Sequence, residues 1–270
     1  MELNVYVLHV LASNNRRWAF MGSASMQQIP EDVIYFAVSP NLSKFDNNIN
    51  VVAQAASNDG FPYLKRYGRG AKNMYVQQSA SSMGQIWNYC RIFRHIIQTG
   101  VSALVIHDDR MISINWDSFN IVINELESKG DFKIFQTRQR HGQPIGIKEQ
   151  LEILSQHTFD KDDPLNYVTS GINGYEEGMV ISPLGAEFIL NALENNIGDY
   201  YFFDDFVHTK LSKLCTDISG VYTTTKDEFC FIREYLEFPS LTDWAHNNSP
   251  YFNDSQKATN INFLDLNNGI

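Results

Sequence analysis

Short apolar runs alternate with longer stretches whose apolar residues recur about every 3.6 positions, and this alternation organises most of the chain. From Leu3 to Leu11 the chain is apolar and β-branched, interrupted by Asn4 and His9, and it closes at the polar turn Ser13-Asn14-Asn15; this predicts a buried strand. Arg16-Arg17-Trp18 opens a predicted helix, and Val33 to Val38 predicts a second strand ending at Ser39-Pro40. Residues 44–82 are polar, carry Gly60, Pro62, Gly68 and Gly70, and are expected to be loop-rich. Beyond Ser82 a helical stripe of Ile86, Cys90, Phe93 and Ile97, widened by Trp87 and Ile96, runs to a stop at Thr99-Gly100. Ser102 to Ile106 predicts a strand with His107-Asp108-Asp109 at its carboxyl end.

The same alternation continues. Trp116, Phe119, Ile123 and Leu126 predict a helix before Gly130, and Lys133 to Gln136 predicts a strand. Gly178 to Ser182 predicts another strand, followed by a helix from Pro183 to Leu190 with proline in its first turn. Asp204-Asp205 opens a last periodic segment through Val207, Leu211 and Leu214. The tail from Asn247 is asparagine-rich and is expected to be irregular apart from the Phe263-Leu264 pair. Strands alternating with helices predict an α/β fold with a mostly parallel central sheet flanked by helices, in a single domain.

Composition narrows the chemistry. Of the 270 residues, 43% are hydrophobic and 19% charged, enough apolar surface for a sizeable core. The net charge of −10 argues against nucleic acid or an anionic membrane as a broad partner, while leaving room for a local basic pocket. No run approaches the roughly 18 apolar residues of a membrane span, and no basic segment precedes the first apolar run, so a cytoplasmic location is expected. Three scattered cysteines, Cys90, Cys215 and Cys230, offer neither a disulfide framework nor metal-type spacing and fit a reducing compartment.

Open α/β sheets bind ligands at the carboxyl ends of their strands, where His107-Asp108-Asp109 is expected to sit. Two carboxylates and an imidazole supply hard oxygen ligands and one nitrogen, a set suited to Mn²⁺ or Mg²⁺ against a diphosphate. The alternative is that both aspartates cap the next turn and stay solvated. Asp204 and Asp205 carry a similar choice, between capping a helix and acting as a base.

Three segments in order resemble glycosyltransferase family 25, the bacterial lipooligosaccharide and collagen galactosyltransferases. These are Ser82 to Ile97 with Ala103 to Ile112, then Ser170 to Leu190 around Gly-Tyr-Glu-Glu-Gly and Ile-Ser-Pro-Leu-Gly-Ala, then Tyr201-Phe-Phe-Asp-Asp-Phe. Arg16-Arg17 after the first strand echoes the family's opening. The likeness spans roughly residues 3–215. It implies a GT-A type fold over residues 1–245, with residues 246–270 as a polar tail packing on or extending the domain. It also implies inverting, metal-dependent transfer of a sugar from a nucleotide diphosphate donor, a UDP-sugar by the family's habit, to a glycan acceptor. Relatives serve bacterial surface glycans and the capsid glycans of some large DNA viruses. Where the family's acidic triplet begins with Glu, this chain has His107, which would be a nitrogen ligand, a ribose contact or a structural imidazole.

The resemblance assigns roles residue by residue. Val10, Leu11 and Ala12 would line the nucleotide base, Arg16 would face the diphosphate, and His107 and Asp108 would complete the donor site. Asp109 would hold the metal with a late histidine, His246 or its rival His208. A divalent ion there would offset charge on the departing diphosphate. Asp205, or Asp204 beside it, would take the proton of the acceptor hydroxyl. Glu176, Glu177, Tyr201 and Trp244 would contact the sugars, with Tyr200 as a further stacking platform. A phosphatase would want DxDx[TV] after the first strand and a nucleotidyltransferase a glycine-rich turn; Leu11-Ala-Ser-Asn supplies neither. A catalytically inactive module that binds a sugar nucleotide or glycan is the remaining alternative.

Overall fold

The computed structural model describes residues 3–9, 14–67, 80–108, 110–112, 115–137, 159–172, 178–200, 202–224, 232–234 and 262–264. Strand β1 (Asn4–His9) is buried along nearly its whole length and alternates between two cores. Val5 and Val7 face one side, where Phe20 and Met21 of helix α1 (Asn14–Met26) and Phe119 and Val122 of helix α4 (Trp116–Ser128) pack. Tyr6 and Leu8 face the other, against helix α3 (Ala80–Thr99). A strand buried on both faces has no polar side to show, which is why its sequence is an almost unbroken apolar run.

Among the described residues, eight strands form one sheet in the order β10-β2-β1-β3-β7-β5-β8-β6. Here β2 is Ile34–Val38, β3 Ala103–His107, β5 Ile134–Gln136, β6 Val168–Ser170, β7 Met179–Ile181, β8 Val221–Thr224 and β10 Asn262–Leu264. A separate pair joins β4 (Arg110–Ile112) to β9 (Ile232–Glu234), antiparallel. The fold is α/β. Its sheet is mixed: β10, β2, β1 and β3 run parallel, whereas β7 opposes both of its neighbours and β6 opposes β8. A three-residue strand buried on both faces reads the same in either direction, so the reversal at β7 left no mark on its apolar pattern.

Residues 44–82, expected to be loop-rich, contain helix α2 (Ile49–Asn58). Asn48 caps it by accepting from the Asn50 amide at 2.9 Å, and Ile49, Val52, Ala53 and Ala56 form its inward stripe. Small apolar residues dispersed among polar ones concealed that periodicity. Helix α5 (Pro183–Asn196) starts where it does because the Ser182 hydroxyl donates to the Phe132 carbonyl at 2.6 Å and accepts from the Gly185 amide at 3.1 Å. Any side chain at Gly185 would overlap the Lys133 carbonyl oxygen, so glycine is required for this close approach. The last helix, α6, runs on from Phe203–Phe206 through a π-wound stretch, Val207–Leu211, to Ser212–Leu214.

Candidate functional site

Strand β1 is followed through α1 by β2 on one side and is flanked by β3 on the other, with α1 and α3 on opposite faces. The carboxyl ends of β1 and β3 therefore bound a topological switch point, the place where open α/β sheets leave a crevice. His9 ends β1 and His107-Asp108 ends β3, and the Asp108 amide continues the ladder by donating to the Leu8 carbonyl at 3.2 Å.

The pleat separates these neighbours. Asp108 turns to the face of α1: its Oδ2 lies 2.8 Å from His9 Nδ1, and its Oδ1 accepts from Arg16 Nη1 at 3.4 Å. Both His9 and Asp108 are buried, and the His9 ring meets Phe36 edge-on at 5.3 Å. Among the described residues His9 Nε2 is buried with no hydrogen-bond partner. His107 turns to the face of α3, where its Nε2 lies 2.6 Å from the Tyr89 hydroxyl. Adjacent residues of a strand point to opposite faces, so His107 and Asp108 work in different surroundings.

Tyr89 links His107 to the second acidic pair. Its ring stacks on Phe203 at 4.0 Å, and Phe203 is the first residue of α6, immediately before Asp204 and Asp205. Burial pushes the Asp205 carboxyl up from its ordinary value; the Asp204 charge adds to this and His208 opposes it. Among the described residues Asp204 Oδ1 is buried without a hydrogen-bond partner. The π-wound turn that follows is a geometry common at functional sites.

Three arginines stand on the segments that follow β1 and β3 despite the acidic chain. Arg16 and Arg17 both stand in the first turn of α1, which holds no acidic residue. Arg110, two positions beyond Asp108, is buried at the start of β4. Cations at a helix N-terminus oppose the macrodipole, at a cost of about 0.3–1 kcal/mol each, unless an anion joins them.

Arg16, His107, Asp108, Asp204, Asp205 and the rival His208 are thus described. Val10, Leu11, Ala12, Asp109, Glu176, Glu177, Tyr201, Trp244 and His246 lie outside the described residues. His208 is exposed on α6, and Tyr200 sits edge-on to Phe206 at 5.6 Å. Among the described residues no group of three or more His, Cys, Asp or Glu side chains could hold a metal ion, and no helix is long and apolar enough to cross a membrane. Both Asp108 oxygens already accept within the protein, from His9 and from Arg16, and the Arg16 charge beside them disfavours a divalent ion there. His9 and Arg110 were not singled out from sequence; the signals were a polar residue closing a buried strand and a basic residue directly after the acidic pair. No protein-family model and no curated protein sequence matches this chain.

Proposed function

We propose that this chain is a glycosyltransferase of GT-A type that moves a sugar from a nucleotide diphosphate, UDP by the habit of the family it resembles, to a glycan hydroxyl with inversion. The observation that carries this reading is the pair Arg16 and Arg17 in the first turn of α1 at the β1/β3 switch point. Helix dipole and guanidinium charge both favour a phosphate group there. Charge develops on the diphosphate as the glycosidic bond breaks, and preformed cations stabilise it without reorganising.

Asp205 is the proposed base. Its raised pKa makes it a stronger proton acceptor than an ordinary aspartate, and the Tyr89–Phe203 stack fixes the start of its helix relative to His107. Asp204 is the alternative. The proposal keeps Mn²⁺ or Mg²⁺ at Asp109 with His246, and sugar contacts at Glu176, Glu177, Tyr201 and Trp244, on the resemblance alone. One observation favours the inactive binding module instead: the Asp108 carboxylate is engaged within the protein.

The test is a thermal-shift screen of UDP, CDP, GDP and ADP and their sugar conjugates with and without Mn²⁺, since a specific ligand raises Tm by mass action. Sugar release from the stabilising conjugate should follow, and Asp109→Ala should cost about 2–4 kcal/mol of transition-state stabilisation. Affinity without turnover would establish the binding module, and a fully active Asp109→Ala variant would remove the metal assignment.

A further inference from the structure

His9 ends a buried apolar strand, where an imidazole carries a desolvation cost that an aliphatic side chain does not. Its neighbours along the same face of β1, Val5 and Val7, are core residues, and its ring packs on Phe36. That cost is larger for an imidazole whose Nε2 finds no partner among the described residues. What the imidazole does provide is one hydrogen bond: Nδ1–H to Asp108 Oδ2 at 2.8 Å, which fixes the tautomer with the proton on Nδ1. The other oxygen of that carboxylate accepts from Arg16, whose side chain is 38% exposed at the N-terminus of α1.

The three residues therefore form a chain running from the core to the crevice: buried imidazole, buried carboxylate, half-exposed guanidinium. A guanidinium on a flexible stem loses side-chain entropy when it binds an anion, and a fixed carboxylate behind it removes much of that loss beforehand. On its inner side the carboxylate accepts from His9, its one donor there among the described residues. Asp108, so engaged, serves an arginine rather than a metal ion.

We propose that His9 is a positioning residue which, through Asp108, presents Arg16 to the diphosphate of the ligand, so that a pyrophosphate group binds here without a divalent cation. The inference rests on the nucleotide-diphosphate reading above and concerns how that group is held, not whether sugar is transferred. His9 acts through Arg16, so its effect must vanish when Arg16 is gone. A contact residue in its own right would instead give additive losses.

The experiment is calorimetric titration of the full chain with inorganic pyrophosphate and with UDP, in EDTA and then in Mn²⁺, using orthophosphate as the weaker control. Wild type is expected to bind pyrophosphate more tightly than orthophosphate in EDTA, and Arg16→Ala to weaken pyrophosphate roughly 10-fold or more, as for loss of a hydrogen bond to a charged group. His9→Leu should weaken it several-fold and lower Tm modestly, because the buried Asp108 carboxylate loses a donor, and His9→Asn, which can restore an N–H donor to Asp108, should recover most of the affinity and of the Tm. In the Arg16→Ala background His9→Leu should change nothing further. Additive losses, an unaffected His9→Leu variant, or pyrophosphate binding that appears only with Mn²⁺ overturns the relay while leaving sugar transfer standing. Cation-free binding in a protein that never releases sugar leaves the relay standing and removes the transferase. No binding of pyrophosphate or UDP under either condition removes both.

Discussion

Replacing Phe203 tests whether the second acidic pair is held where the proposed chemistry needs it. The ring is fully buried, stacked on Tyr89 at 4.0 Å with 27° between planes, and flanked by Phe93 at 5.8 Å and Phe206 at 6.0 Å. Phe203→Ala removes a buried aromatic and leaves a cavity, at about 3–5 kcal/mol. Phe203→Leu keeps most of the volume and should cost about 1–1.5 kcal/mol. The stack itself is isolated by a double-mutant cycle of Tyr89→Leu with Phe203→Leu, for which an interaction of about 0.5–1.5 kcal/mol is expected. Urea denaturation followed by tryptophan fluorescence reads all four proteins, since Trp87 and Trp116 are buried and should report unfolding. If the stack orients Asp204 and Asp205, Phe203→Leu will also slow sugar release while leaving nucleotide affinity unchanged. A coupling near zero, or full turnover in a destabilised Phe203→Leu protein, refutes the positioning argument.

Burial alone would raise Asp59, but hydrogen bonds from Arg91, Arg94 and Trp87 outweigh it and hold the carboxyl below its ordinary value. A depressed folded-state pKa gives stability that is present above the unfolded value near 4 and lost as pH falls through the folded one. Urea melts between pH 7 and pH 3 should therefore show acid-dependent loss in wild type and a flatter profile in Asp59→Asn. Asp205 has the opposite sign: with its folded pKa raised, its ionised form opposes folding at neutral pH. Asp205→Asn should hold or raise Tm at pH 7, lose that advantage below pH 4, and abolish sugar transfer; a large drop in Tm at pH 7 would contradict it. Gly185→Ala and Gly220→Ala should each cost at least about 2 kcal/mol in the same melts, because a Cβ would strike the carbonyls of Lys133 and Asp131 respectively, and Gly220 also sits at φ +81°.

Periodicity made the helices and buried strands legible because burial on both sheet faces and on one helix face leaves different patterns. The predicted strands at 33–38 and 102–106 and the helix after Ser82 correspond to β2, β3 and α3. Strand direction was not legible, since hydrogen-bond polarity leaves no side-chain signature in β7. Pairing at long range was equally hidden: Asn262–Leu264 joins β2 in parallel, and nothing in Asn-Phe-Leu names its partner. For the candidate site, the strand-end rule located His107 and Asp108 but treated them as one cluster. Alternation, already used for β1, predicts that they face opposite layers, and Asp108 then needs a donor from the α1 side, which is His9.

Two carboxylates of this chain, Asp59 partly buried and Asp108 buried, hold contrasting networks. Asp59, at the end of α2, accepts from Arg91 and Trp87 at 2.8 Å on one oxygen and from Arg94 at 2.9 Å on the other. Every contact is short, and all three donors come from α3, so the network ties α2 to α3. Asp108 has one short contact, to an imidazole whose other nitrogen has no partner among the described residues, and one long contact of 3.4 Å to an arginine that reaches toward solvent. Fewer donors and the long arginine contact make the Asp108 network the weaker of the two. The Asp108 network lies at the switch point and the Asp59 network does not. Asp59→Ala strips three donors of a shared acceptor, whereas His9→Leu removes one donor from Asp108, so Asp59→Ala should lower Tm the more.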